Sequence, residues 1–172
     1  MKAALLIFSF FLTTSLCGQS ICKVAKAPKS NYQLLSKNSE QLIKGEDSCV
    51  LQVLDSLKTY IIKNNDTSAL RVLDIISGKS DGYLSEAIQD IVGEVFYENL
   101  GLLLWFCDTN KSNHLEKFLI YALSMEVSME KEVARKRIDK FVRDNRQIKQ
   151  LTTNQSKLLG KIVKRIDPTI WE

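Results

Sequence analysis

Four carboxylates at helical spacing are the first residues in this chain that could do chemistry. Glu86, Asp90, Glu94 and Glu98 recur at every fourth position. Neighbouring carboxylates can bind calcium, and they can work as a general acid and base when burial drives their pKa values apart. The apolar residues of the same segment fall on the opposite face of the helix, so these four carboxylates are expected to be solvated. Their crowded like charges favour a basic partner.

The stretch that begins at Asp108 resembles the start of an EF-hand calcium loop. Asp108, Asn110 and Ser112 stand at alternate positions. Asn113 takes the place of the loop glycine, and Leu119 takes the place of the bidentate glutamate. Because the strongest ligand is missing, the pattern favours a helix-capping turn, and no metal is predicted.

The single histidine, His114, is the other candidate for acid–base chemistry. It falls in the first turn of a predicted helix, where a surface position without partners is typical. The chain contains no G-x-S-x-G elbow, no glycine-rich phosphate loop and no H-E-x-x-H motif. The sequence therefore predicts a binding protein without catalytic activity or cofactor. An all-α hydrolase that combines distant residues is the remaining enzymatic alternative.

The N-terminal residues indicate export. Lys2 precedes an apolar run over residues 3–12, and small and polar residues follow, which is the arrangement of a cleaved secretory signal peptide. The run is too short for a transmembrane helix. We therefore expect the mature chain to begin near Gln19 and to be secreted or periplasmic.

Cys17 offers an alternative fate for the exported chain. An apolar stretch precedes it and Gly18 follows, so the site resembles the lipid-modified cysteine of bacterial lipoproteins. That family has a leucine three residues before the cysteine and a small residue directly before it, where this chain has Thr14 and Leu16. Soluble export is therefore the prediction, and lipid attachment at Cys17 is the alternative.

Three cysteines remain after removal of the leader, and export permits disulfides. Cys22 lies in a polar arm without a core of its own, whereas Cys49 opens the first strongly apolar helix. Cys22 and Cys49 are therefore the candidate disulfide pair, which would attach the arm to the domain. Cys107 follows an apolar run and is predicted to be a buried free thiol. The cysteine spacings match no zinc site.

Helical periodicity dominates the chain, and no alternating strand pattern is evident. The signal peptide is assigned to residues 1–18, an arm with a first short helix to 19–46, and one helical domain to 47–172. The periodicity predicts further helices over residues 49–63, 67–77, 84–96, 100–107, 114–127, 129–146 and 153–166. The fold class is therefore all-α, with seven or eight short helices in antiparallel pairs.

Several helix ends carry local signals. Asp66 or Thr67 can cap the helix over 67–77, and Gly78 is expected to end it in the left-handed conformation. Asn113 and Glu116 have the spacing of a capping pair. Asn99 and Gly101 are poor helix formers, so a break in chain direction is expected there.

Segments 48–77, 83–107 and 113–146 can each form a helix pair. Their succession is similar to the helix-pair stacking of HEAT-like repeat proteins, over about 100 residues, although the segments share no residue motif. The resemblance implies a stack of antiparallel pairs. Periodicity alone also allows an irregular helical bundle.

Charge is unevenly distributed along the chain. Residues 46–108 hold 11 acidic and 4 basic residues, whereas residues 131–166 hold 12 basic and 3 acidic residues. Such a basic segment would suggest nucleic-acid binding, but export argues against it. The predicted contact surface consists of Arg135, Lys136, Arg137, Lys140 and Arg143.

Three interpretations of this basic segment stay open. Its helices could pack on the core with their charges merely solvated or facing the acidic helix. They could bind an acidic exported or envelope protein, as an adaptor, inhibitor or immunity protein would. They could also attach to an anionic lipid or glycan surface, where each basic residue adds about 1 kcal/mol before salt screening.

Overall fold

The structure is a computed structural model, and it describes residues 31–45, 47–110, 114–147 and 151–170. Within those ranges the chain forms helices and no strand, which confirms the all-α class. The described helices are α1 (Tyr32–Lys37), α2 (Ser39–Ile43), α3 (Asp47–Asn64), α4 (Thr67–Ser77), α5 (Gly82–Glu98), α6 (Leu100–Thr109), α7 (His114–Glu130), α8 (Glu132–Gln147) and α9 (Thr153–Lys164). The predicted signal peptide, Cys17 and Cys22 lie outside the described residues.

Helices α3, α5 and α7 form a parallel layer. The Asn99 side chain, which follows α5, donates to the Ile61 carbonyl of α3 at 3.2 Å, and one turn earlier Lys58 Nζ pairs with Glu94 at 3.0 Å. The Tyr97 hydroxyl of α5 likewise donates to Glu126 of α7 at 2.8 Å. Helix α4 packs on α3 and α7, and α6 packs on α4 and α5. The first helices of the three successive pairs, α3, α5 and α7, are thus neighbours, and so are the second helices α4 and α6.

The remaining helices close this arrangement at its sides. Helices α1 and α2 pack along α4, since Tyr32 donates to Asp66 at 3.0 Å and Lys79 donates to Ser39 at 3.0 Å. Helix α8 packs on α7, and α9 packs on α6 and α7. Buried apolar side chains from all the described helices form one continuous core. The short helix predicted within residues 19–46 is therefore two helices, which contribute Leu35 and Leu42 to that core.

The ends of α4 show one correct and one wrong prediction. Asp66 is the N-cap, and its carboxylate accepts from the backbone N–H groups of Ser68 at 2.9 Å and Ala69 at 3.2 Å. Gly78 ends the helix, but with φ −67° and ψ −9° it is right-handed rather than left-handed. Its role is steric, because a Cβ there would lie 2.8 Å from His114 Nε2. His114, expected on the surface, is therefore half-buried against α4.

The predicted break between α5 and α6 is present at Asn99. Helix α6 buries most of its apolar side chains. Leu103, Leu104 and Phe106 are buried, but Trp105 is 46% exposed. No helix in the described ranges is both long and apolar enough to cross a membrane.

Helices α7 and α8 meet at a single residue, Lys131, with the positive φ of 49°. Helix α7 therefore ends at Glu130 and α8 begins at Glu132, and each of these boundaries lies three residues later than predicted. The sequence gives no signal for it, because lysine seldom adopts this conformation.

Glu116 has a role that the sequence did not predict. The buried Glu116 carboxylate accepts from Lys161 at 3.3 Å and Arg165 at 2.9 Å, so it connects α7 to α9. Asn113, its expected capping partner, lies outside the described residues, and that capping pair stays a prediction. Asp74 of α4 accepts from the Leu115 N–H at 3.2 Å, which satisfies a donor in the first turn of α7.

The cysteines fit their predicted environments where these are described. Cys107 is a buried free thiol, as predicted, and burial raises its pKa to about 12. Cys49 is buried in the first turn of α3. Because Cys22 lies outside the described residues, the Cys22–Cys49 bridge stays a prediction.

Candidate binding surface

The five predicted surface cations lie on α8 in three different environments. Arg137 faces α7, where its Nε donates to Glu126 at 2.9 Å and its Nη1 lies 2.9 Å from Glu130. These two carboxylates raise the pKa of Arg137 further above its ordinary value. Tyr97 also donates to Glu126 at 2.8 Å. The charge of Arg137 therefore joins α7 to α8 and is offset within the protein.

Arg135 and Lys136 form weak pairs along their own helix. Arg135 Nε lies 3.4 Å from Asp139, and Lys136 Nζ lies 3.2 Å from Glu132. Exposed pairs at this spacing contribute only about 0.3–0.5 kcal/mol each. Both cations stay accessible, but an adjacent carboxylate partly cancels each one.

Lys140 and Arg143 are the uncompensated members of the predicted set. Both side chains are exposed, and neither forms an ion pair within the described part of the chain. Arg143 lines a groove of about 470 Å³ between α8 and α9. The groove is lined by Asp139, Val142, Arg143, Arg146, Gly160, Val163 and Lys164.

Gly160 allows Arg146 to lie across this groove. A Cβ at Gly160 would stand 3.0 Å from Arg146 Nη2, and that nitrogen donates to the Ser156 carbonyl at 3.3 Å. The guanidinium therefore rests on the backbone of α9. The contact set predicted from sequence lacked Arg146 and Lys164, although the basic composition of residues 156–166 was a signal for the second wall.

The groove combines positive charge with an apolar floor. Arg143, Arg146 and Lys164 face a single carboxylate, Asp139, which already pairs with Arg135. Guanidinium groups bind carboxylates through paired hydrogen bonds, and apolar side chains between them exclude water. The groove can therefore accept an acidic side chain together with an apolar neighbour.

Both walls of the groove are fixed to the rest of the protein. Helix α9 is held to α7 through Glu116, and the Asp167 N–H donates to Ser124 at 2.9 Å just beyond its end. Thr152 and Gln155 form a capping box at the start of α9. Helix α8 is held to α7 through Arg137. A groove that is already ordered loses little entropy on binding.

The candidate acid–base residues are not brought together. Glu86, Asp90, Glu94 and Glu98 are all exposed on α5, as predicted. Three of them line a groove between α5 and α7, and Glu98 lies outside it. His114 is at the start of α7 against Gly78 and does not line that groove.

The candidate calcium loop is only partly described. Asn110 follows the end of α6, and its side-chain amide donates to the Phe106 carbonyl at 2.9 Å. Ser112 and Asn113 lie outside the described residues. In the described ranges, no group of three histidine, cysteine, aspartate or glutamate side chains is placed to hold a metal ion.

Comparison with protein-family models, with curated proteins and with solved structures finds no significant match to this chain.

Proposed function

We propose that the protein is an exported, non-catalytic binding protein that contacts an acidic protein partner through one basic surface. This α8–α9 surface consists of Arg143, Arg146 and Lys164, which line the groove, and of Lys140, which lies one helical turn before Arg143 on α8. The observation that carries the proposal is the uncompensated charge of Arg143 in that groove, together with that of Lys140 one helical turn before it on α8. Adaptors, inhibitors and immunity proteins act in this way without chemistry of their own.

The composition of the α8–α9 surface supports a protein partner. Arginine is enriched among the residues that dominate binding energy at protein interfaces. Val142 and Val163 supply apolar area within the groove. A partner that inserts a carboxylate beside an apolar side chain would therefore gain both an ion pair and the burial of apolar surface. The opposite electrostatic potentials of the two surfaces would also raise the association rate.

Attachment to an anionic lipid or glycan surface is the second candidate. It is favoured by Lys157, which is exposed on α9 and forms no ion pair among the described residues, since it would extend the basic surface beyond the groove. Binding of this kind depends on summed charge and is screened within about 8–10 Å at ordinary salt. It should be lost when salt is added, whereas a packed protein interface should largely survive.

Affinity capture with matched variants tests the proposal. Wild type, Lys140→Gln/Arg143→Gln and Arg135→Gln/Lys136→Gln would be incubated with the native exported or envelope fraction at low and high salt. We expect wild type and the second variant to retain one stoichiometric protein at both salt concentrations, and the first variant to lose it. Retention of lipid or glycan alone, lost at high salt, would support the second candidate. Capture of no specific material by wild type would contradict both.

A further inference from the structure

A second groove lies between α5 and α7, on helices other than those of the basic surface. Its volume is about 820 Å³. The α5 wall carries Glu86, Asp90 and Glu94, and the α7 wall carries Tyr121, Met125 and Met129 among its lining residues. One wall is therefore acidic, and the other presents a line of large apolar side chains.

Two small residues form the floor of this groove. An added Cβ at Gly93 of α5 would lie 3.6 Å from the Ala122 Cβ of α7. Small residues at this crossing let the two helices approach and leave the space above them open. The groove is therefore built into the α5–α7 contact itself.

The acidic wall has two free charges. Glu94 is paired with Lys58 at 3.0 Å, and the two α7 glutamates of the groove are paired with Arg137. Glu86 and Asp90 are exposed and form no ion pair within the described ranges. Within the groove, the uncompensated negative charge of the α5 wall therefore lies at Glu86 and Asp90.

The apolar wall follows helical spacing. Tyr121, Met125 and Met129 stand four residues apart, so they lie along one side of α7. Met129 is 74% exposed and Tyr121 is 38% exposed. Methionine side chains are flexible and polarisable, and they adapt to varied apolar partners at binding surfaces.

From these observations we propose that the α5–α7 groove binds a cationic amphipathic helix of a partner protein. The helix would place one row of apolar side chains on Tyr121, Met125 and Met129, and its flanking Lys or Arg residues beside Glu86 and Asp90. This is the helix-in-groove mode of recognition, with the charge of the occupant fixed by complementarity. The inference is independent of the proposed function, since it uses other helices and a partner of opposite charge.

The direct test is titration of a labelled peptide with the mature protein, which is expected to begin near Gln19. The probe is a fluorescein-labelled 18-residue peptide that has leucines at alternating three- and four-residue intervals and arginine or lysine at the flanking positions. Its binding is measured by fluorescence anisotropy. Wild type is expected to bind it, and Glu86→Gln/Asp90→Asn should weaken binding about fivefold, the loss of two exposed charge pairs. Met129→Ser should weaken it as well. Glu98→Gln is the matched control on the same helix and should bind like wild type.

Several outcomes would overturn the inference. The peptide could fail to bind wild type, or it could bind the Glu86→Gln/Asp90→Asn variant as tightly as the control. A peptide with serine at every leucine position could bind equally well, which would indicate charge attraction without docking. Sedimentation velocity of the protein alone covers a second copy as occupant, because self-association lost in the Glu86→Gln/Asp90→Asn variant would assign the groove to that copy instead.

Discussion

At the scale of single residues, the contact between Gly78 and His114 shows how a close approach depends on the absence of one atom. Gly78 has an ordinary helical φ of −67°, so its backbone would accept any residue. The limit is the imidazole, whose Nε2 would stand 2.8 Å from an added Cβ. The absence of a side chain at Gly78 therefore allows the end of α4 to lie against His114 at the start of α7.

Gly78→Ala is predicted to destabilise the protein by about 1–2 kcal/mol through overpacking. In a His114→Ala background the same change should cost far less, because the clash is gone. Urea unfolding of the four proteins gives the coupling energy. Gly93→Ala is the control and should be neutral or stabilising, since its Cβ would make an ordinary 3.6 Å contact. Equal losses in both backgrounds would refute the steric explanation.

Cys107 is predicted to be inert in the folded protein. Burial raises its pKa from 9.0 to about 12, and reactivity requires the thiolate. Iodoacetamide should label it slowly at pH 8 and rapidly in denaturant. Because the unfolded chain loses this proton first, the free energy of unfolding should fall as pH rises from 9.0 to about 12.

Cys107→Ala is the control for that pH dependence. The variant should lack the part of the decline that belongs to the thiol, although other groups still titrate in this range. Rapid labelling of the folded protein at pH 8 would contradict the burial of Cys107.

Residue environments were predictable from sequence where one helix determines them. Periodicity predicts the exposed row from Glu86 to Glu98, and the apolar run before Cys107 predicts its burial. Periodicity cannot predict that Arg137 pairs with Glu126 or that Glu116 pairs with Arg165, because those pairs join different helices. The contact set predicted from sequence also lacked Arg146, because the position of its side chain depends on Gly160 of another helix.

At the scale of elements, the turn between α7 and α8 depends on one unfavourable backbone conformation. Lys131 has φ 49°, where a residue with a Cβ is strained by about 1–2 kcal/mol. Lys131→Gly should therefore stabilise the protein by about 0.5–1 kcal/mol after the added entropy of the unfolded chain is counted.

Thermal and urea unfolding check this prediction, with Asn65→Gly as the control. Asn65 has a similar φ of 53°, but it accepts a hydrogen bond from Asn99 at 2.6 Å, and asparagine tolerates this conformation. It should therefore gain little or lose stability. Destabilisation by Lys131→Gly would show that the turn is not strained.

Glu116 is predicted to anchor α9. Its carboxylate is 6% exposed and pairs with Lys161 and Arg165. Glu116→Gln should lower the free energy of unfolding by about 1–3 kcal/mol, and amides of α9 should exchange faster. Glu132→Gln, which breaks only the exposed pair with Lys136, should change stability by less than about 0.5 kcal/mol. Similar effects of the two changes would contradict the anchoring role.

Helix identity was predictable, but several helix ends were not. Asp66 as a cap and the break at Asn99 follow from local chemistry, and both are present. The α7–α8 boundary was displaced because a strained lysine forms the turn. Single-residue preferences assign such a conformation to glycine or asparagine, so they give no signal at a lysine.

At the scale of the whole molecule, the uneven charge of the sequence gives two grooves of opposite character. Intramolecular pairing consumes part of each charge, as Arg137 does with Glu126 and Glu130. Among the described residues, the charges that stay uncompensated include Lys140 and Arg143 on one surface, and Glu86 and Asp90 on another. The folded chain thus places uncompensated charges of opposite sign on two separate grooved surfaces.

The central claim is that the α8–α9 surface, rather than basic charge in general, binds a protein partner. The most direct measurement is the dissociation constant of the captured partner for wild type, Lys140→Gln/Arg143→Gln and Arg135→Gln/Lys136→Gln, by calorimetry at fixed salt. Both variants remove two positive charges from α8. We predict that the first weakens binding by about tenfold or more and that the second stays within about twofold of wild type. Equal affinities of the two variants would contradict the claim.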